Sequence, residues 1–68
     1  MKGLSFSSLR VGERYWAVNF RERFEFELIE IVNPGEFVLK DVHTLELLKM
    51  SDILRFGKGK DFEIRELS

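Results

Sequence analysis

The sequence predicts an all-β fold: a small, closed or half-closed antiparallel barrel of five strands, with one short helical turn before the last. Three observations predict it. Five short stretches alternate apolar and polar residues, at 15–20, 24–32, 37–42, 45–50 and 62–67, the period-two pattern of strands. Turn-forming residues separate them, above all Asn33-Pro34-Gly35-Glu36 and Gly57-Lys58-Gly59-Lys60-Asp61. The whole chain is 68 residues long, so it has room for one hydrophobic core and no second domain.

Residues 1–8 are small and polar and are expected to form a flexible N-terminal segment ahead of a single domain at 9–68. An entry turn is expected at 9–15, with Gly12 taking a conformation other residues resist and Leu9 and Val11 tucked under the barrel. The first strand carries apolar groups in both of its alternating sets, Tyr15/Ala17 and Trp16/Val18/Phe20. Either both faces are covered or one aromatic is displayed. A charged loop, Asn19-Phe20-Arg21-Glu22-Arg23, follows. In the second strand Phe24, Phe26 and Leu28 alternate with Glu25 and Glu27 until the phase slips at Leu28-Ile29. A β-bulge there would return Ile29 and Ile31 to the core and supply the bend a small barrel needs to close.

Pro34 and Gly35 suit the two central positions of a type II turn, Gly35 taking the positive φ. The third strand reverses at Asp41-Val42-His43-Thr44. In the fourth, Leu45 and Leu47 compete with Leu48 and Met50 for the inward face. A helical turn is expected at 51–56, with Ser51 as N-cap and Asp52 in its first turn. A flexible loop follows it. Phe62, Ile64 and Leu67 then make the closing strand.

Hydrophobic residues make up 44% of the chain and charged residues 34%, a balance that indicates a globular rather than a disordered chain. A domain this small buries only about 60% of the surface its unfolded chain exposes. Its seven Phe, one Trp and one Tyr are therefore needed mainly for the core, since each aromatic buries roughly 150–250 Å². Cysteine is absent, which excludes disulfides, thiolate metal sites and cysteine catalysis and fits a reducing compartment. No N-terminal stretch resembles a signal peptide, and no apolar run approaches the ~18 residues of a membrane span. The expected location is cytoplasmic.

The net charge of −1 is unevenly spread. Residues 1–23 hold five basic and two acidic side chains, residues 24–54 two and seven, and residues 55–68 four and three. The ends are basic and the middle is acidic. The near-neutral total argues against a dedicated nucleic-acid binder, whose domain is usually strongly basic.

The order of elements resembles the SH3-like barrel, a superfold that includes Tudor, chromo-like and ribosomal-protein barrels. The residues that carry the likeness are Val11-Gly12-Glu13-Arg14-Tyr15 at the entry, Val38-Leu39-Lys40-Asp41 through Thr44 and Glu46 at the third hairpin, and Ser51-Asp52-Ile53-Leu54 at the helical turn. It spans roughly residues 9–67. Many small barrels write L-x-D-x-x-T-G-E at that hairpin; here Leu45 replaces the glycine, which leaves the turn type open. The resemblance implies a fold and no activity.

Candidate chemistry is sparse. Trp16, Tyr15, Phe20 and Phe24 could cage a cation, as Tudor-like aromatics do, although most are needed for the core. Arg10, Arg14, Arg21 and Arg23, with Arg55, Lys58 and Lys60 nearby, could form a basic patch beside Trp16 and Phe20. The plainer reading is a solvated rim paired with Glu13 and Glu22. Gly57-Lys58-Gly59-Lys60 lacks the remainder of a phosphate loop and reads as an ordinary loop. His43, the lone histidine, reads as a turn residue. Glu25 and Glu27 share one strand face and read as a solvated pair rather than an acid–base couple. The surplus leucines at 45–48 form either a two-sided core or an exposed partner surface.

The expected function is a non-catalytic interaction module that binds a protein partner or self-associates through Trp16, Phe20, Arg21, Arg23, Leu45 and Leu47. The alternative is a nucleic-acid-binding accessory domain using Arg10, Arg14, Trp16, Arg21 and Arg23. No enzyme activity, cofactor, metal, small-molecule substrate or membrane association is expected.

Overall fold

β2, spanning Glu22–Asn33, is the longest strand and organises the sheet. The structure, a computed structural model, describes residues 4–33 and 35–67. A 3-10 turn at Phe6–Ser8 comes first. It is followed by β1 (Arg14–Asn19), β2, β3 (Glu36–Asp41), β4 (Leu47–Lys49), the helix α1 (Met50–Ile53) and β5 (Glu63–Glu66). All strands belong to one antiparallel sheet in the order β4-β3-β2-β1-β5. The sheet curls, giving nearly equal extents of 26 × 25 × 25 Å, but β4 and β5 remain its two edges and it does not close on itself.

The slip expected at Leu28-Ile29 is present. Leu28 pairs with Leu39 and Glu30 with Val38, so Ile29 is the extra residue; a second shift falls between Ile31 and Asn33. The bulge lets one strand serve two directions. Its first half pairs with β1, Tyr15 opposite Phe26 and Ala17 opposite Phe24, and its second half pairs with β3. Ile29 is half-buried, but Ile31 is 44% exposed and Val32 51%. The expected return of Ile31 to the core therefore does not occur, because the second shift carries the strand tip past the curled part of the sheet. The expected turn at 33–36 runs through Pro34, which lies outside the described residues; Gly35 has a φ of +89°.

The open choices of face resolve cleanly. In β1, Tyr15, Ala17 and Asn19 point inward and Trp16 and Val18 outward. Ala17 is fully buried between Phe24 of β2 and Ile64 of β5, where a small side chain lets larger neighbours interdigitate. Leu48 and Met50 turn inward, whereas Leu45 and Leu47 face solvent. Leu9, Tyr15, Phe26, Leu28, Phe37, Leu39, Met50, Ile53 and Ile64 complete the core with Ala17. Each buried leucine-sized side chain contributes roughly 1.5–3 kcal/mol relative to exposure. Val11, expected beneath the barrel, is 57% exposed.

Residues 4–8, read from the sequence as flexible, are held against the sheet; residues 1–3 lie outside the described region. The Leu4 N–H donates to the Ile64 carbonyl at 2.7 Å. The Phe6 ring meets Phe37 and Phe62 edge-on, at centroid distances of 5.6 and 6.0 Å. The helix is shorter and earlier than expected, and its N-cap is Lys49 rather than Ser51. Asp52 determines this by reaching back three residues to accept the Lys49 N–H at 2.9 Å. The chain leaves the turn at Gly57, whose φ is +83°.

The buried polar side chain of Asn19, 2% exposed, ties the β1–β2 hairpin to the loop after α1. Its amide donates to the carbonyls of Ile53 and Gly57, at 3.3 and 3.0 Å, and its oxygen accepts the Gly59 N–H at 2.7 Å. Asn19→Ala leaves those groups without partners and is expected to cost about 1–3 kcal/mol in urea unfolding.

Candidate functional site

Three surface regions carry the side chains singled out by the sequence. The first is the outward face of the sheet around Trp16, which lies opposite Glu25 on β2 and Arg65 on β5. The Arg23 guanidinium lies over the indole, 4.5 Å from its centroid. Arg23 Nε is 2.9 Å from Glu25 Oε2, and the other oxygen of Glu25 is 2.8 Å from His43 Nε2. Arg14 faces Glu27 at 3.9 Å and Arg65 pairs with Glu63. The hydrogen bond with His43, and then that from Arg23, holds the Glu25 carboxyl below its ordinary range. This face is a lattice of paired charges. The basic patch expected from Arg10, Arg14, Arg21 and Arg23 is accordingly divided: Arg14 and Arg23 are paired with glutamates, Arg10 lies in the entry loop with its N–H on the Tyr15 hydroxyl at 2.8 Å, and Arg21 is at the hairpin tip. His43 does occupy a turn, but it also bridges to β2.

The second region is the turn from Asp41 to β4. One Asp41 carboxylate oxygen accepts the N–H groups of His43 and Thr44 at 2.7 and 3.1 Å, bonds that hold its pKa below the usual value. The Leu45 N–H donates to the Asp41 carbonyl at 2.8 Å, and Leu45 takes a φ of +65°. The glycine position of the hairpin pattern thus keeps its left-handed backbone despite the leucine, because the Asp41 scaffold holds the turn. Leu45 and Leu47 are 66% and 67% exposed. Beside them a shallow cleft is lined by Val38, Leu47, Leu48, Lys49 and Asp52. On the free side of β4, Asp52 already occupies the Lys49 N–H, which limits the strand's capacity to pair edge-on with another.

The third region is the tip of the β1–β2 hairpin. Phe20 and Arg21 both have positive φ, 51° and 68°, as in a type I′ turn that usually employs Asn-Gly. Asp61, distant in sequence, stabilises them by accepting the Phe20 N–H at 3.0 Å and the Arg21 N–H at 2.7 Å. These bonds, the Arg21 one foremost, lower its pKa. Gly59 lies close beneath this tip: a Cβ there would fall 3.0 Å from both the Phe20 ring and Asp61 Oδ1, so a side chain would press on both. Phe20 remains 51% exposed and Phe56 is 81% exposed. Neither Asp61 nor Phe56 was singled out by the sequence. Asp61 acts across 40 residues and leaves no local pattern; Phe56 read as part of the helical turn.

Of the six predicted contact residues, Phe20 and Arg21 come together at this tip, Leu45 and Leu47 at the other hairpin, and Trp16 and Arg23 on the face of the sheet. Comparison of the chain with protein-family models, curated proteins and solved structures returns no match. Among the described residues, no helix is long and apolar enough to cross a membrane.

Leu45→Gly removes a left-handed leucine, a conformation that costs about 1–2 kcal/mol, less about 0.5–1 kcal/mol for the freer unfolded glycine. The variant is expected to be as stable as the parent or up to about 1.5 kcal/mol more stable by urea unfolding. For Glu25, Asp41 and Asp61 the folded pKa is lowered. Their stabilisation is complete above the unfolded value, about pH 4, and is lost as pH falls through the folded value. Thermal unfolding should therefore show the midpoint dropping as pH falls below about 4. Asp61→Asn should lower the midpoint at neutral pH and lie closer to the parent in acid.

Proposed function

We propose that the chain is a non-catalytic interaction module of the SH3-like small-barrel superfold, which binds a protein surface through Leu45 and Leu47. The barrel assignment is supported by a single curled antiparallel sheet of five strands, a bulged β2 that serves both halves, and one helical turn before β5. The observation that carries the function is the pair of leucines, two-thirds exposed on neighbouring positions, in a chain that needs its apolar side chains for the core. One of them is held out on a left-handed backbone, a conformation that persists only where surrounding structure enforces it. The adjoining cleft adds apolar lining from Val38 and Leu48 and a charged rim from Lys49 and Asp52.

The surface carboxylates of Glu25, Asp41 and Asp61 have structural partners: each accepts hydrogen bonds from side chains or turn N–H groups, which lower its pKa. Trp16 contributes less than the sequence suggested, because Arg23 covers its ring. The nucleic-acid alternative built on Arg10, Arg14, Trp16, Arg21 and Arg23 loses support from the Arg14–Glu27 and Arg23–Glu25 pairs.

A second copy of the chain is the simplest partner for so small an apolar patch. Sedimentation velocity over a concentration series should show reversible association that Leu47→Glu abolishes. A strict monomer in both forms would rule out self-association; failure of Leu47→Glu to change any interaction of the monomer would rule out the surface.

A further inference from the structure

We infer that the hairpin tip carrying Phe20 and Arg21, with the adjoining loop from Arg55 to Lys60, is a binding surface for single-stranded nucleic acid. It is separate from the leucine surface and does not depend on it. The inference starts from Phe56. At 81% exposure it is the most open large apolar side chain described, and burial does not account for it. It stands next to Gly57, whose carbonyl accepts from Asn19 at the base of the hairpin, so the loop bearing Phe56 is tied to the turn bearing Phe20. Phe20 is itself half-exposed, and its ring lies close to Gly59 of the same loop.

The backbone that presents these rings is fixed rather than loose. Asn19 holds the loop through three hydrogen bonds, and Asp61 holds the left-handed turn through two. A phenyl ring presented by a rigid turn loses little entropy when it is covered, which favours binding. Arg21, Arg55 and Lys60 are exposed on the same two segments, and the Arg55 guanidinium sits over one face of Phe56, 6.0 Å from its centroid, leaving the other face open to a base. Lys58 lies against Phe6 and Phe62, 4.6 and 5.2 Å from their centroids, and forms the inner margin of the patch. Against these cations stand the ionised Asp61, whose oxygens accept two backbone N–H groups, the exposed Glu22, and Glu63, which shares the Lys58 cleft and pairs with Arg65.

Cations surrounding exposed aromatic rings match a ligand with phosphates along its length and flat faces between them. In a single strand, bases are free to stack on aromatic side chains while the backbone meets the cations. In a duplex the base faces are already stacked and only the phosphates are available. An acidic peptide offers charge without regularly spaced flat faces.

The test is fluorescence anisotropy at low salt with a labelled oligothymidylate of roughly 12 nucleotides, the corresponding duplex, and polyglutamate as competitor. The expected result is binding to the single strand in preference to the duplex, with weak competition by polyglutamate. Phe56→Ala, a change at an exposed position, should weaken binding about tenfold, as should Phe20→Ala. Arg21→Gln and Lys60→Gln should each lower the salt dependence by about one phosphate contact. Leu47→Glu should leave the affinity unchanged. Absence of binding at low salt, equal or tighter binding to the duplex, equal competition by polyglutamate, or an affinity indifferent to Phe56→Ala would each overturn the inference.

Discussion

The bend in β2 is the constraint on which the rest of this structure depends. A flat strand of twelve residues would carry β1 and β3 side by side in one plane and leave each apolar face in water. The extra residue at Ile29 turns the strand, so that its first half completes a layer with β1 and β5 and its second half a layer with β3 and β4. Phe26 and Leu28 occupy the inside of that turn, and both are fully buried. In a chain this short the bend is what brings both layers onto one core, and a bulge costs only a local interruption of the hydrogen-bond ladder.

Once the sheet curls, its ends need sealing, and two aspartates do similar work at two turns. Asp41 and Asp61 each accept a pair of backbone N–H groups from a turn containing left-handed residues other than glycine. Asp41 acts within its own turn; Asp61 reaches from the loop before β5 to the β1–β2 hairpin. In both cases an ionised carboxylate compensates for a backbone that would be relaxed with glycine. Both turns also display apolar side chains, Leu45 with Leu47 two positions on, and Phe20, with Phe56 on the loop that Asn19 ties to the base of the hairpin. Strain and apolar exposure thus coincide twice in one small domain, and that coincidence motivates the two surfaces proposed here. The broad outward face, by contrast, is dominated by charge pairs centred on Trp16, Arg23 and Glu25, an arrangement that resists stacking against another sheet.

Much of the architecture was legible in the residues. The alternation of Phe24, Phe26 and Leu28 with Glu25 and Glu27 marked β2 and its inward face, and the adjacent Leu28-Ile29 marked the bulge. Asp41 and Thr44 marked the third hairpin. The composition was enough to indicate one core and to exclude cysteine chemistry. The candidate surfaces were only partly legible. Phe20, Arg21, Leu45 and Leu47 were named, whereas Phe56 and Asp61 were not, and the proposed cluster of arginines is dispersed.

Sequence by itself determined which segments become strands, because side-chain period and turn chemistry are local properties that the backbone geometry enforces residue by residue. Tertiary structure decided which of two greasy faces points inward, as with Tyr15 over Trp16 and Leu48 over Leu47, and which charges meet. Those outcomes depend on register between strands far apart in the chain. A shift of one residue in register exchanges inside for outside along an entire strand, and only the packed sheet selects among the alternatives.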